Sequence, residues 1–279
     1  MTQLVNVKPE ESGEKGLFFC RELEKGNILF FLKTPFSIPE EIEEYFSRKS
    51  KLAAHEIQKV LESYSMKVTE FLSQLLPAYA ARWKPDKAVF RPFQKQVQGE
   101  KLQVDAFAAR PLHGWRVLRF FTNIHPTEGK RWATSKSFAE LAQEFAGKVL
   151  PFPKSCTHSL GARLERKMKE LLASAGLKGA LRSPYDQFML RLQRFLRQNE
   201  EFQVDGAKIH WDFPPGSSWV LFTDQVSHAA LSGLHALEQM FLIPTQALLY
   251  PDQAPISILE RLSKGNMADP AVTNEGLSS

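Results

Sequence analysis

The stretch Trp115-Arg116-Val117-Leu118-Arg119-Phe120-Phe121-Thr122-Asn123-Ile124 constrains the fold more than any other part of the chain. It is rich in aromatic and β-branched residues and long enough to cross a sheet, so it reads as a strand. Weaker strand patterns lie before it, at Gly26–Leu32, from Val89 to Phe93 and at Leu102–Asp105. Others follow far downstream, at Lys208–Phe213, Trp219–Thr223 and Ala236–Ile243. Between Pro39 and about Tyr79 apolar residues recur at three and four, the helical period. A second helical stretch separates the two strand blocks, from about residue 137 to 200. Ser137-Phe138-Ala139-Glu140 opens it as a capping box, and Ser183-Pro184-Tyr185-Asp186 is a second helix start. Within it, Leu160–Leu172 alternates charged and apolar residues as a helix with one solvated face. Strands on both sides of a helical insert fit an α+β chain whose core is a β-sandwich closed as a jelly roll, flanked by N-terminal helices. One domain is expected over residues 1–264, with a loose polar tail over 265–279.

Composition narrows the functional classes. A hydrophobic fraction of 43% and a charged fraction of 24% describe a water-soluble chain with a real core. No apolar run approaches the roughly 18 residues that cross a bilayer, and the polar start Met1-Thr2-Gln3 is no secretory signal. Two cysteines, Cys20 and Cys156, make neither a disulfide framework nor a thiolate metal cage, so a reducing cytoplasm is expected. The net charge of +5 has two readings, a basic surface that aids solubility or attraction to an anionic partner. Zinc-finger spacing, RNP aromatics and long Lys/Arg blocks are all missing, which argues against nucleic acid. A phosphate-bearing membrane surface or an anionic sugar fits better, and a homo-oligomer is compatible with all of this.

The chemistry-bearing residues are Gln103 and Asp105, two apart on one strand and hence on one face, and His228 in Thr223-Asp224-Gln225-Val226-Ser227-His228. Imidazole and carboxylate on one face, with open positions opposite, is the ligand geometry of non-haem Fe(II) oxygenases. Individually Asp105 is more often a turn former and His228 a structural histidine. His210-Trp211-Asp212 offers a competing His-x-Asp pair. It precedes a Pro214-Pro215-Gly216 turn, read as a hairpin that returns the chain along Ser218–Thr223 and so leaves Asp212 far from His228.

Longer motifs carry a resemblance. Val104-Asp105-Ala106-Phe107 with Arg110-Pro111, Arg116–Ile124 with Pro126, Arg182-Ser183-Pro184-Tyr185-Asp186 with Met189-Leu190, and Phe213–Trp219 resemble segments of the Kdo 3-hydroxylase family, in order. Phe222–Gly233, followed by Ala236-Leu237-Glu238-Gln239, is similar to that family as well. The resemblance runs from about residue 20 to 244. It implies a double-stranded β-helix that uses Fe(II), 2-oxoglutarate and oxygen. The reaction it implies is hydroxylation, at C3, of the sugar 3-deoxy-D-manno-oct-2-ulosonate (Kdo) in the inner core of lipopolysaccharide, with Kdo-lipid A as partner at the inner face of the inner membrane. The ligand set it implies is position 103, Asp105 and His228. The chain departs from the family at Gln103 and at Gln193, where histidine is expected. An amide oxygen is a weaker donor to Fe(II) than imidazole, so impaired catalysis is expected. Two rival readings stand beside this one, a metal-poor jelly roll that binds the sugar without catalysis and a 2-oxoglutarate oxygenase with another substrate.

A 2-oxoglutarate enzyme needs a buried cation for the distal carboxylate, and arginine supplies a two-pronged fork. Ala236–Ile243 contains no Lys or Arg, so the cation must come from elsewhere. Arg119 shares a strand face with Val117 and Phe121 and should point inward. It either binds the cofactor or pairs with a protein carboxylate such as Asp224 or Glu238. Arg116 lies on the opposite face and, with Arg110, is expected at the surface or facing substrate. Arg110, His113 and the basic residues of 161–170 are candidates for the substrate's carboxylate and phosphates.

Overall fold

A computed structural model describes residues 1–11, 13, 15–38, 41, 54–91, 101–149, 182–233 and 235–268. The larger of two sheets has strand order β1-β2-β8-β5-β10-β3, with β4 also on β10. These strands are β1 (Leu4–Asn6), β2 (Ile28–Phe31), β3 (Lys84–Pro85), β4 (Val89–Arg91), β5 (Arg116–Asn123), β8 (Ser218–Phe222) and β10 (Ala236–Ile243). β1 runs parallel to β2, and the other pairings are antiparallel. The smaller sheet has the order β7-β6-β9, from β6 (Lys130–Ser137), β7 (Ile209–Phe213) and β9 (Val226–Ser232). Its bulges, between Arg131 and Trp132 and between Thr134 and Ser137, bend β6 against β9.

Alternation on β5 divides the interior in two. Phe121 points between the sheets, where it meets Trp132 of β6 and Trp219 of β8 at ring-centroid distances of 4.9 and 5.2 Å. Phe213 of β7 stacks on Trp219 at 4.0 Å, so aromatic rings from both sheets close this layer. Phe120 points the other way and packs on Tyr64 and Phe71 of a long helix, α2 (Ala54–Leu75), that covers the back of the larger sheet. The Tyr64 hydroxyl lies 3.0 Å from Thr122 Oγ1, so this buried phenol has a partner. Among the described residues no helix is long and apolar enough to cross a membrane.

The remaining helices are α1 (Gly16–Glu24), α3 (Pro77–Ala80), α4 (Phe138–Val149), α5 (Pro184–Gln198), α6 (Glu200–Asp205) and α7 (Pro255–Ser263). Both helix starts read from the sequence have the local chemistry expected of them. The Glu140 carboxylate accepts from Ser137 N at 2.7 Å, and the Ser183 hydroxyl caps α5 by accepting from Asp186 N at 3.1 Å. Residues 42–53, 92–100, 150–181 and 269–279 lie outside the described residues, and with them the Leu160–Leu172 helix, Cys156 and most of the proposed tail.

Three expectations change. Pro214–Ser217 is not a hairpin turn, because β7 belongs to the smaller sheet and β8 to the larger; it carries the chain from one sheet to the other. Lys130–Ser137 is a strand that the sequence pattern did not suggest. Gly265–Ala268 is docked rather than loose, with Met267 buried and its carbonyl accepting from Tyr185 N at 3.1 Å.

Glu24, at 1% exposure, ties the C-terminal region to α1. Its carboxylate accepts from Tyr79 Oη at 2.7 Å and from the backbone of Leu249 and Tyr250 at 2.9 and 2.7 Å. Glu24→Ala strands three donors, so it should cost about 2–4 kcal/mol in urea unfolding. A loss under about 1 kcal/mol would mean that water replaces the carboxylate.

Candidate metal centre

The segment carrying Gln103 and Asp105 is not a strand of either sheet; it is stitched to the protein through its backbone. Gln103 N donates to His228 O at 3.0 Å and His228 N to Gln103 O at 2.9 Å, an antiparallel bridge on the edge of β9 away from β6. Asp105 N donates to Thr223 O at 3.0 Å, which extends the stitch toward β8. Alternation holds across it. Leu102 and Val104 are buried in the apolar core, while Gln103 and Asp105 take the other face.

That arrangement sets Asp105 Oδ1 3.9 Å from His228 Nε2. Two ligands each about 2 Å from one ion lie about 3 Å apart at a right angle and at most about 4 Å apart, so a small closing shift would bring the pair onto one divalent cation. His228 Nδ1 lies 3.1 Å from Val226 O, which favours the proton on Nδ1 and leaves Nε2 as the donor atom. Trp132 stacks on the imidazole, with centroids 5.6 Å apart and planes 14° apart. Burial pushes the His228 pKa down against the pull of Asp105, so the ring is held neutral, the form that ligates metal. Burial would raise the Asp105 carboxyl. The Arg119 guanidinium foremost, with the Thr223 hydroxyl at 2.6 Å, outweighs it and holds the group below the usual range.

Gln103 stands beside this pair differently. Its side-chain oxygen accepts from Arg197 Nη1 of α5 at 3.1 Å. Among the described residues no set of three His, Cys, Asp or Glu side chains could hold a metal. Asp105 and His228 are thus two side chains of the usual ligand types standing together, with the Gln103 amide beside them on the same segment.

Arg119 lies inside, as alternation requires, but it is paired. Its Nη1 donates to Glu238 of β10, and its Nε sits 2.8 Å from Asp105 Oδ2 without pointing its N–H at that oxygen. Glu238 is one of the two carboxylates weighed from the sequence. The other, Asp224, goes to Arg116, at 2.7 Å from Nε and 3.2 Å from Nη2. This overturns the surface reading of Arg116. Alternation puts it opposite Arg119, yet that side is covered, its guanidinium lies 4.2 Å from the Phe222 ring centroid, and it is 1% exposed.

Arg110 bonds Asp86, and the backbone of His113 donates to both oxygens of Asp186. Among the described residues neither makes a hydrogen bond or ion pair with Asp105 or His228. His210 and Asp212 are exposed on β7, with β6 between them and His228, so the competing His-x-Asp pair is no part of this site. The sequence reading missed Arg197 and Thr223. Arg197 carried no signal, whereas Thr223 lay within the quoted motif.

A family model for 3-deoxy-D-manno-oct-2-ulosonic acid (Kdo) hydroxylase matches residues 46–266. The chain belongs to the Kdo hydroxylase family. Solved structures of one Kdo hydroxylase, KdoO, described as a non-haem Fe(II) α-ketoglutarate-dependent dioxygenase, are similar to this family member along nearly its whole length. The complex with succinate and Fe(III) has 26% identity and a TM-score of 0.80, over 97% of this chain and 99% of that one. The apo form has 26% identity and a TM-score of 0.81 over the same shares. The complex with α-ketoglutarate and Fe(III) has 26% identity and a TM-score of 0.80, again over 97% and 99%. No curated protein matches this Kdo hydroxylase family chain.

Buried donors without an acceptor lie on β5, β6 and β8. Arg119 Nε, Trp132 Nε1 and Trp219 Nε1 are buried donors with no hydrogen-bond acceptor among the described residues. Such groups ask for a ligand or water.

The Arg116–Asp224 pair is the cleanest structural test beside the site. Burial alone would lower the Arg116 pKa, but the Asp224 carboxylate holds it up and the guanidinium charged. Arg116→Leu leaves that carboxylate buried without its cation and should cost about 3–5 kcal/mol in chemical unfolding. The double variant Arg116→Leu/Asp224→Leu should recover most of the loss. If it does not, packing of the guanidinium on Phe222 outweighs the charge pair.

Proposed function

We propose that this chain is an Fe(II)- and 2-oxoglutarate-dependent hydroxylase that acts on Kdo. The observation that carries the reading is the Asp105–His228 pair, 3.9 Å apart, in a chain of the Kdo hydroxylase family. Fe(II) with 2-oxoglutarate and oxygen supplies the chemistry, in which one oxygen atom enters a substrate C–H bond and the keto acid leaves as succinate and carbon dioxide. The protein holds the metal by Asp105 and His228 with Gln103 at or near the third position. Thr223 and Arg119 keep Asp105 ionised, and Val226 orients the imidazole.

Arg119 is assigned to the distal carboxylate of 2-oxoglutarate. Glu238 engages Nη1 and Asp105 faces Nε, which leaves Nη2 as the donor for an incoming acid. Arg110 and His113 remain the proposed substrate contacts. The finer assignment is C3 of Kdo in Kdo-lipid A, reached at the inner face of the inner membrane. The positive net charge of +5 suits a phosphate-bearing surface. We assign a double-stranded β-helix core within one oxygenase domain, read from the sequence as residues 1–264 and extended to Ala268 by the docked residues. Supporting this, β1 at one end pairs with β2, and buried residues of α7 join the same core at the other.

The test is incubation of Kdo-lipid A with the protein, Fe(II), ascorbate and 2-oxoglutarate, read by mass spectrometry. The expected result is gain of one oxygen on Kdo, slow in this chain and about 10–100-fold faster in Gln103→His, the range for perturbing a metal's immediate surroundings. Succinate formation without oxygen on Kdo would assign another substrate. No turnover in either form, with metal bound, would favour the non-catalytic reading.

Arg119→Leu should weaken 2-oxoglutarate binding by about 2–5 kcal/mol, as when one partner of a buried charge pair is truncated. Titration with Mn(II) in place of iron measures it. Unchanged affinity would leave Arg119 as the counter-ion of Asp105 and Glu238 alone.

A further inference from the structure

The helical segment that carries Arg197 is fixed to the ligand segment by more than that one contact. Gln203 of α6 donates from Nε2 to Leu102 O at 2.9 Å and accepts from Leu102 N at 2.9 Å, the pattern of a neighbouring strand. Gln193 of α5 donates to Val104 O at 3.1 Å. Gln193 and Arg197 are four apart and share a helix face. Three side chains from α5 and α6 thus line the side of residues 102–104 away from β9 and act as a strand made of side chains. In this register Gln193 and Gln203 take backbone groups, and Arg197 takes the amide oxygen of Gln103. That oxygen is the only atom of the Gln103 side chain able to ligate a metal, because the amide nitrogen holds its lone pair in the carbonyl conjugation.

We propose that Arg197 is a positioning residue that latches Gln103 by its oxygen and thereby sets the metal affinity of the centre from α5. To become a ligand, the amide must give up or share its hydrogen bond with a cation, and a second cation beside the first is unfavourable. The latched centre holds a divalent ion by Asp105 and His228. Released, it holds the ion by three side chains. The inference rests on Asp105 and His228 being the metal ligands.

Co(II) titration of the metal-free full chain, read by calorimetry and by the visible absorption of the bound ion, tests it without turnover. Arg197→Leu should bind Co(II) about two- to fivefold more tightly, the worth of a solvent-exposed charged contact. Its absorption should change as an oxygen donor joins the ion. Arg197→Gln, uncharged but still polar, should behave the same way, whereas Arg197→Lys should stay near the parent. In a Gln103→Ala background, Arg197→Leu should give no gain, because there is no oxygen to release.

Equal gains in both backgrounds would overturn the latch and leave only charge repulsion. Parent-like affinity in both Arg197→Leu and Arg197→Gln would overturn it as well. Asp105→Ala and His228→Ala separate the two readings. Each should abolish Co(II) binding, and if binding survives in either, the assignment of the metal centre fails independently of Arg197.

Discussion

The backbone bridge between Gln103 and His228 is the constraint on which the rest of the site depends. Neither residue lies in a part of the chain that would meet the other by local folding. β9 is paired with β6 on one edge, and its other edge is open until the segment around Gln103 closes it. Both backbone polar groups of His228 are used in that closure. Because side chains alternate along the bridged segment, a slip of one residue would turn Asp105 into the apolar core and bring Val104 to the site. Register and ligand geometry are therefore one problem, and Gln203 solves it from the second side through both backbone groups of Leu102.

With the register set, charge decides what the site can hold. Asp105, Arg119 and Glu238 form a line of alternating sign that ends at Arg91, which is half-exposed and 3.1 Å from Glu238. A buried carboxylate beside a buried histidine would ordinarily take up a proton. Here the guanidinium keeps Asp105 ionised while burial keeps His228 neutral, so both proposed ligands are in the form that binds a metal. The line also explains how Arg119 can be largely buried. Glu238 and Asp105 offset its desolvation, which suits the diacid-anchoring role proposed for it.

Much of the fold was legible because β5 is long and its two faces differ in chemistry. The boundaries of that strand, the helix starts at Ser137 and Ser183, and the inward direction of Arg119 all follow from local pattern. β6 escaped because Lys130–Ser137 is polar at both ends, and its buried residues are small apart from Lys130 and Trp132. α1 escaped because it starts at Gly16 with no capping side chain. Arg116 was misjudged for a different reason. Alternation states which face a residue occupies, but not whether another layer covers that face, and the partner that makes burial tolerable, Asp224, comes from a distant loop. The Glu238 partner of Arg119 could be weighed in advance because β10 is an obvious strand. Its register sets Met240 opposite Arg119 and Glu238 on the diagonal, within reach of a long side chain.

Gln103 shows how far a single side chain can act through its neighbours. Exchanging imidazole for an amide weakens one donor, but it also introduces an oxygen that accepts hydrogen bonds, and Arg197 lies within reach of it. A neutral imidazole that ligates through one nitrogen has only an N–H left on the other, so it offers a guanidinium nothing to bind. In a histidine-bearing site the same arginine would have no competing role at this position. On that proposal the effect of residue 103 on a metal is decided jointly with α5, and the helix that supports the site from outside takes part in its chemistry.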